Sequence, residues 1–144
     1  MKLKKVIDGN HTKYYAEDVL KYEHYKDSDG DEWWSEYDQQ GNEVHYKNSY
    51  GSEWWFEYDQ QGNEVHSKNS KGYEEWSEYD QQGNRIHHKN SDGFEWWYGY
   101  DQRGNKVHSK NSYGDEWWSD DNPNNPKNKQ EFVDEKDIKP FKFG

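Results

Sequence analysis

The sequence predicts an all-β protein, an antiparallel meander of 21-residue β-hairpin repeats that forms one elongated, twisted, single-layer sheet with divergent N- and C-terminal caps. Three observations predict this fold. A 21-residue unit recurs without insertions over residues 37–120. Gly, Asn and Ser punctuate every unit about every ten residues, which is typical of short strands joined by turns. Aromatic residues make up 19% of the chain and all hydrophobic residues only 28%, so rings that favour a pleated surface supply most of the apolar area.

The repeats divide the chain of 144 residues into three parts. Four full copies follow one another from residue 37 to residue 120, and a half-copy precedes them over 24–36. A cluster of Asn and Pro at 122–126 breaks regular structure after the last copy. We predict an N-terminal cap over 1–15, a repeat domain of four and a half copies over 16–120, and a polar C-terminal tail over 121–144.

Each copy predicts two strands joined by a tight turn. The first pair is expected over 32–38 and 43–49, which contain aromatic and β-branched residues. The residues at 38–42 suit a type I turn followed by a left-handed glycine, and those at 48–51 offer the same chemistry between copies. Connections this short allow only antiparallel pairing, because a parallel crossover needs a dozen or more residues.

The odd length of the repeat predicts one unpaired residue in every copy. Strand side chains alternate between faces with a period of two, so 21 residues would move equivalent residues to opposite faces. We predict a β-bulge in each copy, because a bulge keeps equivalent residues on one face. An even-length loop, or a sheet that alternates its faces, is the other solution. The prediction rests on the Trp that keeps one register in all five copies: Trp34, Trp55, Trp76, Trp97 and Trp118.

Positions that are identical in the copies indicate what the architecture needs. We expect rows of Trp, Tyr and Val or Ile to form the core of the sheet. Rows of Glu and Lys are expected to fix the register, with Lys47 near Glu53. The repeated His is expected to pack on Trp and to form hydrogen bonds across strands. Besides the Trp row, the core rows are Tyr37, Tyr58, Tyr79 and Tyr100, and Val44, Val65, Ile86 and Val107.

Positions that differ between copies lie mostly near turns and strand ends. Such variation along a regular scaffold marks the recognition surface of repeat proteins, and neutral drift at exposed sites is the alternative. We predict partner-binding residues at variable positions and at the acidic start of the repeats. They are Asp29, Asp31, Glu36, Tyr50, Tyr73, Phe94 and Tyr113.

The sequence indicates no catalytic or metal site. Equivalent histidines of successive copies lie two strands apart, roughly 9.5 Å, whereas zinc needs each His nitrogen at about 2.0–2.1 Å. Acidic pairs such as Asp29 and Asp31 are repeated or lie in turns, but a catalytic dyad needs one distinctive pocket. The acidic segment 27–32 is faintly similar to a calcium loop and lacks the spacing to a terminal bidentate Glu. We therefore expect no enzyme activity, no metal and no cofactor.

The net charge of −11 is concentrated in the first half of the chain. Residues 16–36 carry 8 acidic and 2 basic groups, and each of the next two copies adds −3. An acidic surface attracts a basic protein and lacks the Lys and Arg that phosphates need, so we expect a protein partner and no direct nucleic acid. The alternative is that acidity only keeps a Trp-rich sheet soluble and its edges unpaired. No apolar run approaches the roughly 20 residues of a membrane helix, and we predict a cytoplasmic protein without a membrane partner.

The unit Gly-x6-Tyr-Asp-Gln-Gln-Gly-Asn over 30–42, with copies that start at Gly51, Gly72 and Gly93, resembles the YD repeat of Rhs-type proteins. The resemblance implies hairpin arrays in which a Tyr-Asp strand end precedes a Gly turn, and in that family long arrays curl into shells around toxin cargo. The hairpin in each repeat and the Gly-aromatic rhythm are also similar to MORN-type repeats. The Glu-Trp-Trp and His-x-Lys-Asn-Ser signatures depart from the usual YD pattern. Four and a half copies are too few to enclose a cargo, so the resemblance does not imply a shell.

These observations predict a non-enzymatic, acidic protein-binding module. Its predicted use is inhibition, by covering a basic nucleic-acid-binding surface of a nuclease or effector as immunity proteins and phage anti-CRISPR proteins do. The alternative is a carbohydrate-binding or surface-adhesion module with exposed Trp and Tyr rows, and a spacer without a ligand is a third reading. Exposed terminal strands allow a homodimer through the sheet edges. The segment 132–144 is expected either to cap the sheet or to dock on the target.

Overall fold

The computed structural model describes residues 1–129, so the segment 132–144 lies outside the described residues. The described part consists of β-strands and one short 3-10 helix at Pro126–Asn128, and it holds no helix with the length and apolar character needed to cross a membrane. The strands are β1 (Lys4–Asp8), β2 (His11–Ala16), β3 (Val19–Lys26), β4 (Glu32–Tyr37), β5 (Glu43–Asn48), β6 (Glu53–Tyr58), β7 (Glu64–Asn69), β8 (Glu74–Tyr79), β9 (Arg85–Asn90), β10 (Glu95–Tyr100), β11 (Lys106–Asn111) and β12 (Glu116–Trp118).

These strands form one antiparallel sheet in which the order in space is the order in the chain. Each strand contacts only its neighbours in sequence, so every connection is a hairpin. The sheet is not closed, and β1 and β12 form its two edges within residues 1–129. The all-β, single-layer meander that the sequence predicts is confirmed. The N-terminal flank contributes β1 and most of β2 to the same sheet.

Two kinds of three-residue turn close the hairpins of the repeats. In the first kind, the N–H of Asp38 donates to the carbonyl oxygen of Asn42 at 2.9 Å, and Gly41 adopts a φ of 88°. In the second kind, the N–H of Asn48 donates to the carbonyl oxygen of Ser52 at 3.0 Å, with glycine again in the left-handed position. A positive φ strains any residue with a Cβ, so glycine makes these tight loops possible. The predicted turn chemistry is confirmed.

A β-bulge occurs in every full copy, as the odd period predicts. In the hairpin β4–β5, Glu36 lies opposite His45 but Tyr37 lies opposite Glu43, so Val44 is the extra residue. The bulge shifts the register by one residue and thereby keeps equivalent residues of successive copies on one face. The extra residues are Val44, Val65, Ile86 and Val107.

The two faces of the sheet carry different residues. One face, the ladder face, carries positions that are nearly constant between copies, and the other, the aromatic face, carries most of the variable ones. In the hairpin β4–β5 the ladder face carries Glu32, Trp34, Glu36, His45 and Lys47, and the aromatic face carries Trp33, Ser35, Tyr37, Tyr46 and Asn48. Both sets recur every 21 residues along the repeats.

The apolar core that the sequence predicts does not form. Within residues 1–129 no apolar side chain is fully buried, and Trp34 on the ladder face is 38% exposed. Tyr37 follows Trp34 by three positions on one strand. Because side chains alternate between faces, the predicted Trp and Tyr rows lie on opposite faces. The prediction of a joint core is wrong because a single-layer sheet has no interior for both rows. The most buried side chains in the strands are polar, among them Ser35 and Ser67.

The chain leaves the sheet through an Asn-rich segment. The N–H of Ser119 and the side-chain amide of Asn122 both donate to the carbonyl oxygen of Val107, at 2.9 and 3.2 Å. The amide of Asn125 donates to the carbonyl oxygen of Ser119 at 3.1 Å. These bonds fold the chain against β11 directly after the three residues of β12.

Candidate functional site

The ladder face repeats one row of five side chains that crosses five strands. In the central row, successive cross-strand pairs join a carboxylate, an imidazole, an indole, an ammonium group and a second carboxylate. Two further rows of the same composition begin at Glu36 and Glu78. The central row consists of Glu57 on β6, His66 on β7, Trp76 on β8, Lys89 on β9 and Glu95 on β10.

The histidine of each row stacks on tryptophan and bonds to carboxylates. The ring centroids of His66 and Trp76 are 5.3 Å apart, and their planes differ by 13°. The Nε2 of His66 lies 3.0 Å from a carboxylate oxygen of Glu74, and its Nδ1 lies 3.3 Å from one of Glu57. One imidazole thus ties three strands together, and the structural role predicted for the histidines is confirmed. Residues 1–129 contain no group of three His, Asp or Glu that could hold a metal ion.

Hydrogen bonds on the ladder face lower the pKa of two carboxyl groups. The hydrogen bond from Lys26, whose Nζ lies 2.6 Å from the carboxylate, is the main cause that lowers the pKa of Glu32 below its ordinary value of 4.5. The hydrogen bond with His66 is the main cause that lowers the pKa of Glu74. These carboxylates are therefore charged at neutral pH and paired within the sheet.

The carboxylates at the start of each row are more open to solvent. The side chains of Glu36, Glu57 and Glu78 are 49%, 72% and 70% exposed, and each lies 3.3 to 3.6 Å from the Nδ1 of the next histidine. In the hairpin β10–β11, Gly99 at the end of the third full copy takes the place of this Glu. The first positions of the rows therefore present three open carboxylates, and the ladder face also carries Glu116, which is 43% exposed, in the last copy.

Six of the seven predicted partner-binding residues lie along one side of the sheet. This turn edge consists of the hairpin turns that join β3 to β4, β5 to β6, β7 to β8, β9 to β10 and β11 to β12. It spans eight strand spacings of about 4.8 Å, or about 38 Å. The six residues at or beside these turns are Asp29, Asp31, Tyr50, Tyr73, Phe94 and Tyr113.

Neighbours along the turn edge meet in two places. A hydrogen bond with Asp31 is the main cause that raises the pKa of Tyr50, whose side chain reaches across from the next turn. Phe94 packs against Tyr113 with ring centroids 5.2 Å apart. The turn edge is thus a row of small acidic and aromatic clusters.

Two residues of the turn edge border the aromatic face. The hydroxyl of Tyr73 donates to a carboxylate oxygen of Glu75 at 2.6 Å and accepts from the amide of Asn90 at 3.2 Å. Phe94 lies edge-on to Trp96, with centroids 5.4 Å apart. The variable positions therefore line the aromatic face and the turn edge, whereas the ladder face carries mostly constant positions.

Glu36 is not brought together with the other six residues. It lies on the ladder face towards the far end of β4, whereas Asp29 and Asp31 lie in the turn that precedes this strand. The seven predicted residues therefore occupy two separate surfaces.

A hollow beside Glu36 is a feature that the sequence analysis misses. It forms where the N-terminal flank joins the repeats, because Tyr14 pairs with Tyr22 across β2 and β3, and Tyr22 pairs with Glu36 across β3 and β4. The near-symmetric spacing of Tyr22 and Glu36 about the turn at residue 29 is a sequence signal that could have found it. The hollow has a volume of 390 Å³, and its walls include Tyr14, Tyr22, Trp34, Glu36, Lys47 and Glu53.

No protein-family model matches the chain, and a search of curated proteins gives no match.

Proposed function

We propose that the protein is a non-enzymatic, acidic protein-binding module that docks on a basic surface of another protein. The use that fits this chemistry is inhibition of a nuclease or other nucleic-acid-binding effector, by covering the surface that holds nucleic acid. Immunity proteins and phage anti-CRISPR proteins offer the analogy for this use. The observation that carries the proposal is the open carboxylate row of Glu36, Glu57 and Glu78 on the ladder face.

The distribution of charge supports a basic partner. The chain carries a net charge of −11, and most of it lies in residues 16–78. Surface charges of one sign steer an oppositely charged protein at long range, and salt screens this attraction within about 10 Å at 0.1 M. Phosphate backbones would be repelled by the same surface.

The open aromatic surface supports docking on a protein. A sheet normally buries one face against a second layer, but no second layer covers either face within the described residues. Tyr50 and Tyr113 on the turn edge are 74% and 79% exposed. Tyrosine is enriched in protein interfaces, where the ring supplies contact area and the hydroxyl a hydrogen bond.

The docking proposal is tested by binding at several salt concentrations. A tagged full-length chain captures a partner from its native host, and affinity for that purified partner is measured from about 50 mM to about 500 mM NaCl. The variant Asp29→Lys, Asp31→Lys, Glu36→Lys is compared with a control that changes the net charge equally and lies outside the turn edge. The control is Gln81→Lys, Gln102→Lys, Asp120→Lys, Asp121→Lys. We expect affinity to fall at least about tenfold in the first variant and much less in the control. An affinity that ignores salt, or equal loss in both variants, contradicts the proposal.

The inhibitory role needs a separate experiment. The chain is added to the complex of the partner with its nucleic acid, and release of the nucleic acid is followed by fluorescence anisotropy. Competitive release supports inhibition by covering the nucleic-acid site. A stable ternary complex contradicts it and leaves only a docking module.

The alternative of carbohydrate binding has one observation in its favour. Trp34, Trp55 and Trp97 on the ladder face are 38%, 40% and 38% exposed, and they lie in one register along the sheet. Neutral oligosaccharides would then quench Trp fluorescence in a saturable, salt-independent way, and Trp55→Leu would weaken the effect. Absence of quenching with neutral sugars removes this alternative.

Three further expectations remain proposals. A relation to YD or MORN hairpin repeats is proposed from the repeated sequence motif that begins at Gly30. A cytoplasmic location and a homodimer through the edge strand β1 are proposed on the same footing. Analytical ultracentrifugation of the chain and of an Ile7→Lys variant tests the dimer, because Ile7 lies on that edge and is 68% exposed.

A further inference from the structure

We propose that the hollow beside Glu36 binds the side chain of an arginine from the basic partner. This inference rests on the proposed function, because it assigns one contact within the docking surface. The hollow lies in the acidic first half of the sheet, where the N-terminal flank meets the repeats. Its volume of 390 Å³ falls in the range of about 300–1,000 Å³ that is typical of ligand pockets.

Aromatic rings form two of its walls. Tyr22 is 45% exposed and Trp34 is 38% exposed, although both lie in the middle of their strands. Trp34 is held in place by His24, whose ring lies parallel to the indole with centroids 5.0 Å apart. A cation over the face of such rings is attracted by their quadrupole, and partial desolvation strengthens the attraction.

A carboxylate completes the site. Glu36 is 49% exposed and lies directly opposite Tyr22, with the Nδ1 of His45 at 3.6 Å. Two other carboxylates line the hollow, but Glu53 lies 2.9 Å from the Nε2 of His45, and Glu23 bonds to His11 at 2.8 Å. Lys47 also lines the hollow, opposite Trp34 and Glu53 in the register. Glu36 is therefore the carboxylate that a guest cation would meet.

Contacts between a cation and an aromatic ring also occur within the chain. Lys89 places its Nζ 5.3 Å from the ring centroid of Trp76, the residue equivalent to Trp34 two copies later. The guanidinium of Arg85 lies 5.8 Å from the ring centroid of Tyr98. Arginine suits the hollow better than lysine, because its planar group stacks on a ring and donates two parallel hydrogen bonds to one carboxylate.

The test uses a small probe and signals from individual indoles. N-acetyl-arginine amide is titrated into the full chain labelled with ¹⁵N-tryptophan, and the Nε1–H signals of Trp34 and Trp97 are followed by NMR. Trp97 is the matched reference, because it is equally exposed and stacks on His87 in the same way. N-acetyl-citrulline amide, which has the same shape without the charge, is the matched probe.

We expect arginine to move the signal of Trp34 in a saturable way and to leave that of Trp97 in place. Citrulline should bind at least about threefold more weakly, and Glu36→Gln should weaken the binding of arginine by about three- to fivefold. The equivalent variant Glu78→Gln should have no effect. Equal shifts at both indoles, no saturation at Trp34, or equal shifts with citrulline would overturn the inference.

The same variants separate this inference from the proposed function. If the purified partner still binds in a salt-dependent way while arginine leaves Trp34 unmoved, the hollow is not an arginine site and the docking proposal stands. If arginine binds at Trp34 but the affinity for the partner ignores salt, the docking proposal fails and the small-molecule site stands. If Glu36→Gln weakens partner binding more than Glu78→Gln does, both are supported.

Discussion

At the residue scale, the repeated histidines join side chains of neighbouring strands on the ladder face, in a sheet without a buried apolar core within the described residues. His66 stacks on Trp76, forms a hydrogen bond with Glu74 and lies 3.3 Å from a carboxylate oxygen of Glu57, and the same arrangement recurs in the rows on either side. We expect His66→Ala to lower the free energy of unfolding by about 1–2 kcal/mol, through lost stacking and lost hydrogen bonds. Urea unfolding at neutral pH measures this, with Lys71→Ala in an exposed turn as the control. A decrease in the free energy of unfolding no larger than that of the control would show that the rows do not stabilise the sheet.

A substitution at Gly99 is expected to raise the stability of the sheet. It lies inside β10, opposite His108, at the position that carries Glu36, Glu57 and Glu78 in the preceding copies. Glycine weakens a strand by roughly 0.5–1 kcal/mol, and Gly99→Glu also gives His108 a second carboxylate. A Cβ there would lie 3.3 Å from the Cβ of His108, a contact that the other copies accommodate at Glu78 and His87. We expect the midpoint temperature of thermal unfolding of Gly99→Glu to rise. A lower midpoint would show that the hairpin β10–β11 does not tolerate the Glu that the preceding hairpins carry.

The sequence predicted the role of histidine but not the placement of the rings. Repetition of His and Trp at fixed spacing is enough to infer that they pair across strands. Whether Trp34 and Tyr37 share a face depends on strand alternation, which separates them, and on the absence of a second layer. Identity between copies indicated that both rows matter, but it did not indicate burial.

At the scale of elements, the two kinds of turn differ in their response to acid. The side chain of Asp59 accepts hydrogen bonds from the backbone and side-chain N–H groups of Asn63, and the side-chain bond is the main cause that lowers the pKa of Asp59 below its ordinary 3.8. Asp80 and Asp101 show the same shift with the corresponding Asn. In the other kind of turn, Asn48 accepts equivalent backbone bonds with a neutral side chain.

These turns predict part of the acid sensitivity of the protein. A pKa lowered by folding gives stability that is fully present above the ordinary value and is lost as the pH falls through the folded value. The free energy of unfolding should therefore fall as the pH drops below the ordinary value of 3.8, and less steeply in Asp59→Asn, Asp80→Asn, Asp101→Asn. The control carries Asp18→Asn, Asp92→Asn, Asp120→Asn. If urea titrations give both variants the same slope against pH, the turns are not the source.

Most of the elements could be predicted because their causes are local. Glycine after a polar turn fixes the loop, and the odd period requires the bulge at Val44 and its equivalents. The strands β1 and β2 were harder to predict, because their sequences do not follow the repeat and only the turn at 8–10 marks them.

At the scale of the whole molecule, contacts between sequence neighbours make the sheet modular. Removing residues 58–78 should leave a folded sheet, because 57 and 79 then continue the same register. We expect an unchanged type of far-UV circular dichroism and an m-value lower by roughly 15%, in proportion to the residues removed. Removing residues 58–68 instead deletes only half of a repeat, so that the strands on either side no longer pair in register, and the sheet should unfold. Equal behaviour of the two deletions would contradict the modular fold.

The sequence predicted the turn edge of the candidate site but not the hollow beside Glu36. Variation between copies located the turn edge, because variable residues need no partner within the repeat. The hollow depends on the junction of a unique flank with the first repeat, and no internal comparison contains that junction. Its members Tyr14 and Tyr22 therefore carried no signal in the comparison of copies.

The proposed docking places the acidic first half of the sheet against a basic protein surface. Hydrogen–deuterium exchange of the chain, alone and bound to its purified partner, tests it most directly. We expect added protection in β3 to β6 and in the two hairpin turns of the turn edge that join β3 to β4 and β5 to β6, with little change in β11 and β12. Protection confined to β9 to β12, or no change in the first half, would contradict it.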